Sequence, residues 1–200
     1  MAVITDVIND ALSEVGVPPI SDPNEPSQQA RTALALFPRV VRTEFRRHAW
    51  NFALTRTTLA STGVAPPWGF ANAFNLPVGL LRLWSFNDVY VDALLDDYVN
   101  EDLSPFAIEG RQILTSFDAP LKIRYIQDMQ SDITSWDSMF RDVVAVKLAA
   151  KLEPSVVKNT SRRQLLEQQY EKILRDAKRC NAIELPPVRQ PDGSWMFGRI

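Results

Sequence analysis

The chain has 200 residues, 46% of them apolar, with 22 basic against 24 acidic side chains. That supplies one core of ordinary domain size, and the near-neutral charge excludes the strongly basic balance of a dedicated nucleic-acid binder. A single cysteine, Cys180, excludes an internal disulfide; with no secretory start and no long apolar run, the sequence reads as one that folds in a reducing cytosol.

Val3, Val7, Ile8, Leu12 and Val15 recur at helical spacing and predict a first helix over residues 2–15, stopped by Gly16-Val17-Pro18-Pro19. Either Asn24 or Ser27 can cap the second helix, with Pro26 tolerated near its first turn. Pro38 predicts a kink near residues 34–38 rather than two separate helices. The stripe Phe37, Val41 and Phe45 extends to His48 and Phe52, but beyond Ala53 the residues Leu54, Arg56 and Thr58 alternate with Thr55, Thr57 and Leu59, as in a half-buried strand. His48, Trp50 and Phe52 are therefore expected to form a structural corner where helix meets sheet, because aromatic corners mostly bury area. One histidine and one distant cysteine make no transition-metal site of the usual kind.

Residues 54–130 read as mostly strand and loop. Leu81, Leu83, Val89 and Val91 sit among turn formers, and residues 106–115 predict a hairpin turning at Glu109-Gly110-Arg111. After the Asp118-Ala119-Pro120 turn, Leu121, Ile123 and Tyr125 alternate with Lys122 and Arg124, giving a strand with one apolar and one basic face. Between these, residues 88–102 hold Asp88, Asp92, Asp96, Asp97, Glu101 and Asp102 with no Lys or Arg. Acids so placed can be a surface or interface, a hard-cation site or paired catalytic carboxylates, although the stretch lacks the ligand order of a calcium loop.

A third helix begins near Ser135, a candidate N-cap with Asp137 in the first turn, and ends before Pro154; its stripe is Trp136, Phe140, Val143, Val144 and Leu148. A fourth starts at Thr160 or Ser161 and carries Leu166, Tyr170, Ile173, Ala177 and Cys180 on one side. Arg162, Arg163, Lys172, Arg175, Lys178 and Arg179 fall on the other. That face is either an ordinary solvated one, with Glu171 pairing to Arg175, or a basic face toward DNA or an acidic neighbouring ring, for which Arg162, Arg163, Arg175 and Arg179 are the candidates. Residues 181–200 form an extended tail with three prolines and the apolar side chains Trp195, Met196, Phe197 and Ile200, which need either this chain's own core or a partner to cover them; docking on a partner is the preferred reading.

The expected fold is α+β: a four-helix core with a small antiparallel sheet inserted between helices 2 and 3. One domain spans residues 1–180, helical over 1–53, β-rich over 54–130 and helical over 135–180, and the docking tail follows.

Asp22-Pro23-Asn24-Glu25 before a helix, His48-Ala49-Trp50-Asn51-Phe52-Ala53 with Arg56 and Leu59, Phe74-Asn75-Leu76-Pro77 followed by Leu81-Arg82-Leu83, and the Ile108-Glu109-Gly110-Arg111 hairpin occur in that order. Together they resemble the head-to-tail adaptor family of short-tailed phages, the tail tubular protein A or gatekeeper proteins. Ala49 departs from the family pattern, where a proline precedes the tryptophan. The resemblance implies a virion structural protein at the head–tail junction, made in the cytoplasm of the infected bacterium. It implies a dodecameric ring between the portal and a tail nozzle or tail tubular protein B-like partner, non-specific contact with the double-stranded genome passing through the channel, and no membrane. Trp195, Met196, Phe197 and Ile200 would then dock on the portal. A ring-shaped DNA-binding packaging accessory is the second reading and an enzyme the third. No Gly-rich phosphate loop, nucleophile elbow or ligand set is present in the sequence, so no catalytic, cofactor-binding or metal-binding residue is assigned.

Overall fold

A computed structural model describes residues 4–87, 89–91, 105–157 and 159–184. Among them are four α-helices and two antiparallel sheets, a mixed α+β fold. The chain order is α1 (Ile4–Val15), α2 (Gln28–Arg47), β1 (Leu54–Leu59), β2 (Asn72–Asn75), β3 (Leu80–Phe86), β4 (Val89–Tyr90), β5 (Phe106–Glu109), β6 (Gln112–Thr115), β7 (Leu121–Gln127), α3 (Ser138–Val156) and α4 (Thr160–Ile183).

Local chemistry sets the helix ends. Gly16, at φ +76°, closes α1 by a Schellman turn in which the Val17 amide donates to Leu12 O and the Gly16 amide to Ser13 O, both at 2.9 Å. Of the two candidate caps for α2, Ser27 is the one used: its hydroxyl accepts from the Ala30 amide at 3.2 Å. Pro38 lies within a single continuous α2. The start of α3 differs from expectation. Ser135 lies in a 3-10 turn and donates to Asp132 Oδ2 at 2.6 Å, so it cannot cap; Asp137 does, accepting from the amides of Met139 and Phe140. Pro154 does not stop α3 but falls in its last turn, where it removes only one backbone donor. The helix α4 continues to Ile183, past the expected end at Cys180.

The helix α3 is buried nearly all round, from Phe140 and Val143 through Leu152, because α1, α2 and α4 all pack on it. Phe140 lies at the centre of the aromatic packing, with ring centroids 4.7 Å from Phe45, 5.0 Å from Trp50, 5.2 Å from Phe52 and 5.1 Å from Trp136.

The expected single sheet is two. One runs β1-β7-β3-β4 and the other β2-β6-β5. The short strands of the second sheet, four residues each, carry too little alternation to be separated from the first by pattern alone. Phe74, Ile113, Leu83, Phe86, Leu121, Ile123 and Tyr125 fill a second, smaller core to which both sheets contribute. The strand β7 serves both cores: Leu121, Ile123 and Tyr125 face the second, while Ile126, on the opposite face, joins the helical core. Register shifts in β3 between Leu80 and Arg82 and between Leu83 and Ser85 let Leu81 and Trp84 pack on the helical core while Leu83 and Phe86 pack in the second.

Candidate functional site

At the end of α2 the chain turns sharply, since His48 is already extended at φ −144° and ψ 154°. Trp50 folds back beneath the helix, is 1% exposed, and donates from Nε1 to Glu44 O at 2.9 Å, which satisfies one of the carbonyls that a helix end leaves open. Asn181 of α4 closes the corner. Its Oδ1 accepts from the Asn51 amide at 2.8 Å, and its Nδ2 donates to Ala49 O at 3.0 Å. These two bonds fix the amide's orientation, so Nδ2 is also the donor to His48 Nε2 at 3.1 Å. His48 is thus held as a neutral imidazole accepting at Nε2. Burial lowers its pKa to about 4, helped by the nearby positive charges of Lys178 and Arg82. Asn51 Nδ2 in turn donates to Asn181 O at 2.7 Å and to Glu184 Oε2 at 3.0 Å. With its acceptor nitrogen engaged, His48 is placed as part of the packing rather than as a free proton carrier.

One turn earlier, α2 buries Glu44 completely. Tyr170 Oη donates to Glu44 Oε2 at 2.8 Å and Arg47 Nε lies 3.8 Å away, while Oε1 has no hydrogen-bond partner among the described residues. Burial raises the Glu44 pKa, and the Tyr170 hydrogen bond and Arg47 charge oppose that rise. Burial and the adjacent carboxylate push the Tyr170 hydroxyl well above its ordinary value. Lys147 Nζ stands 4.1 Å from the Tyr170 ring centroid, a cation–π contact. Above this network Arg39, Arg47, Lys147 and Lys151 line a groove of about 240 Å³ between α2 and α3.

An acidic face lies on the other side of α3. Asp6, Asp10 and Glu14 repeat at one-turn spacing on α1, and Asp142 of α3 joins them. Desolvation, then repulsion from Asp6, raises the Asp10 carboxyl, and desolvation followed by Asp10 raises that of Asp142. At 3.6 residues per turn Asp142 and Lys147 project about 140° apart around α3.

The four α4 arginines do not form one face. Arg162 is half-buried, donates from Nη2 to Glu14 O at 3.0 Å and packs on Gly16, where it satisfies the end of α1. It leaves the proposed basic surface for that reason. Arg163 pairs with Glu167 at 3.1 Å, and Arg175 donates to Glu171 O at 3.3 Å. Arg175 and Arg179 are exposed on the outward side, away from the stripe Leu166, Tyr170, Leu174, Ala177 and Asn181. Cys180, expected on the packed side, is exposed; Asn181 takes that place because its polar atoms are all met at the corner.

Trp195, Met196, Phe197 and Ile200 lie outside the described residues, as do Asp88, Asp92, Asp96, Asp97, Glu101 and Asp102. Among the described residues no group of three His, Cys, Asp or Glu side chains could hold a metal ion, and no helix is long and apolar enough to cross a membrane. Sequence reading missed Glu44, Tyr170, Asn181, Lys147 and Lys151 as site residues. The only signal at Glu44 was an acid on a helix position flanked by Val41 and Phe45.

No protein-family model matches the chain, and no curated protein matches it significantly.

Proposed function

We propose that the chain is a ring-forming head-to-tail adaptor of a short-tailed phage, a virion structural protein without catalytic activity that joins the portal to the tail while DNA passes through its channel. The order of motifs from Asp22 to Arg111 supports the family resemblance. The observation that carries the reading is the placement of opposite charge on opposite sides of α3: Asp6, Asp10, Glu14 and Asp142 on one, Arg39, Arg47, Lys147 and Lys151 on the other. Unlike patches on opposite sides of one subunit suit a head-to-tail contact between copies, the kind of contact that gives a ring when the rotation between copies closes. The docking role of the tail rests on the sequence alone, on the apolar side chains Trp195, Met196, Phe197 and Ile200 among its prolines.

A charge-swap experiment tests this. Lys147→Glu with Lys151→Glu should give a monomer by light scattering in the presence of portal, as should Asp10→Lys with Asp142→Lys. An equimolar mixture of the two variants should recover assembly, because alternating copies then meet with opposite charge at every contact. Rings formed by either variant alone would contradict the reading.

The second reading, a DNA-binding packaging accessory, is favoured by the same basic groove between α2 and α3. In that case Lys147→Gln with Lys151→Gln leaves assembly intact and weakens double-stranded DNA binding alike for all sequences, with a flatter salt dependence.

A further inference from the structure

We propose that the loop between β1 and β2 is a docking knob whose Trp68 seats on a second copy of this chain, in the apolar groove along β5. The contact adds to the head-to-tail reading above and rests on it for the assembly it serves. Residues 57–81 carry no charged side chain, and within that stretch Trp68 is 83% and Val64 72% exposed, beside Pro66 and Pro67. An exposed tryptophan on an uncharged loop is a ready interface anchor. The backbone that presents it is fixed: Ser61 bridges Phe74, the Thr62 amide donates to Ala73 O at 2.9 Å, and Thr62 Oγ1 donates to Val64 O at 3.2 Å. Gly63 at φ +76° and Gly69 at φ +84° turn the chain on either side of the two prolines. A preformed knob loses little entropy when it docks.

The groove belongs to the opposite edge of the same sheet. The loop leads into β2, one edge of the β2-β6-β5 sheet, and the groove follows β5, the other edge among the described residues. Leu76, Leu80, Phe106 and Ile108 line it together with Arg46 and Arg111, around an open volume of about 480 Å³. Phe106 and Ile108 lie two residues apart on β5 and so share a face, and Ile108 is 48% exposed. Arg46 donates to Leu81 O at 2.6 Å and Arg111 to Pro77 O at 3.1 Å. A tethered guanidinium can pair with the electron-rich face of an aromatic ring, so an uncharged loop led by a tryptophan complements this mix of leucines and arginines.

Two considerations make the occupant a second copy. A knob on one edge and a receptor on the other give a heterologous contact, which covers the exposed ring and the open groove together; a foreign partner for either would leave the other bare. Trp68 and Val64 present on the order of 300 Å², well below the roughly 800 Å² per partner of a stable dimer. The contact is therefore too small to hold two free copies by itself and fits one repeated around an assembly that other surfaces also hold.

The test is photo-cross-linking of the full chain at high concentration, without portal. Heavy-isotope copies carry benzoylphenylalanine in place of Trp68, light copies keep the native sequence, and the products are mapped by mass spectrometry. Heavy-to-light cross-links from position 68 to residues 76–83 or 106–111 are expected. Ile108→Glu in the light copies, at a half-exposed position, should lower their yield about fivefold or more, as expected of a charge placed in an apolar pocket. Leu165→Glu, at an exposed position on α4, should leave the yield unchanged. Cross-links confined to single copies, those to residues 92–104 included, would give the groove to this chain's own segment and overturn the proposal. Links to Trp68 of the light copy, which mark a symmetric contact, or an unchanged yield with Ile108→Glu would overturn it as well. Absent cross-links beside intact rings on portal would overturn this contact alone. Cross-links to the groove in Lys147→Glu with Lys151→Glu copies that still form rings would overturn the charge contact and leave this one standing.

Discussion

In the helical half, α3 is wrapped by α1, α2 and α4, and Asn181 and Trp50 tie the corner between α2 and β1 to it; in the sheet half, the smaller core around Phe74, Phe86 and Ile113 lies between two sheets, and Arg56, Lys122 and Arg124 share the other face of one of them. The difference lies in how each half treats polar groups. At the corner, Asn181 uses both ends of its amide and Trp50 its indole N–H, so burial there costs little and gives a unique geometry. On the sheet, Arg56, Arg124 and Lys122 share one face by register, and among the described residues the buried Ser85 hydroxyl has no hydrogen-bond partner.

The largest effect should come from breaking the helical half at its centre. Trp50→Ala should cost about 3–5 kcal/mol, a large part of a typical domain's stability, through the lost ring contacts and the unpaired Glu44 carbonyl. Phe52→Ala, at a partly buried position, should cost less. Chemical denaturation measures both, and an unchanged midpoint for Trp50→Ala would contradict a structural corner.

Next in size, Asn181→Ala removes the partners of the Asn51 amide, Ala49 O and His48 Nε2, and should cost about 1–3 kcal/mol. A hydrogen-exchange experiment should show the 3-10 turn Asn51–Ala53 losing protection before the sheet does.

His48 sharpens the comparison through pH. Its folded pKa is depressed from 6.5 to about 4, so the folded state binds fewer protons than the unfolded one in that interval. The stabilisation is fully present above pH 6.5 and is lost as pH falls toward about 4. Glu44, raised by burial, acts with the opposite sign as pH rises above its ordinary range, so the informative quantity is the difference between wild type and His48→Gln. That difference should be flat above pH 6.5 and change steadily below it; a flat difference down to pH 4 would contradict the neutral, buried imidazole.

The smallest effects belong to exposed ion pairs. Arg163→Gln should change stability by no more than about 0.5 kcal/mol, because Arg163 and Glu167 are both about half exposed. Arg42→Gln, which loses the pair to Asp128 linking α2 to the loop after β7, should stay below about 1 kcal/mol. Thermal melts resolve either from the corner variants.

Periodic segments were legible in the sequence where one face is buried. Leu121, Ile123 and Tyr125 alternate because β7 faces the second core, and Val7, Ile8, Leu12 and Val15 repeat because α1 lies on α3. Legibility failed where tertiary partners decide. Ser135 and Asp137 are both good caps locally, and Asp132 takes Ser135 away. Cys180 is the more apolar neighbour of Asn181, yet the stripe Tyr170, Leu174, Ala177 places Asn181 inward, and only distant Asn51, Ala49 and His48 make that tolerable. The pair Glu44 and Tyr170 is separated by 126 residues, and the meeting of Arg56 with Arg124 across the sheet depends on which strands pair. Neither the long separation nor the pairing of strands distant in sequence is written in local pattern. Arg162 looked like surface charge because nothing nearby in sequence indicates the end of α1.

Copies of this chain are proposed to assemble head to tail on a portal ring. Electron microscopy of the full chain mixed with purified portal rings, beside the same mixture made with the chain cut after Glu184, tests it most directly. An added ring of density on one end of the portal is expected for the full chain, and for the truncated chain a folded helical protein that leaves the portal bare. Bare portal rings with the full chain at saturating concentration would contradict it.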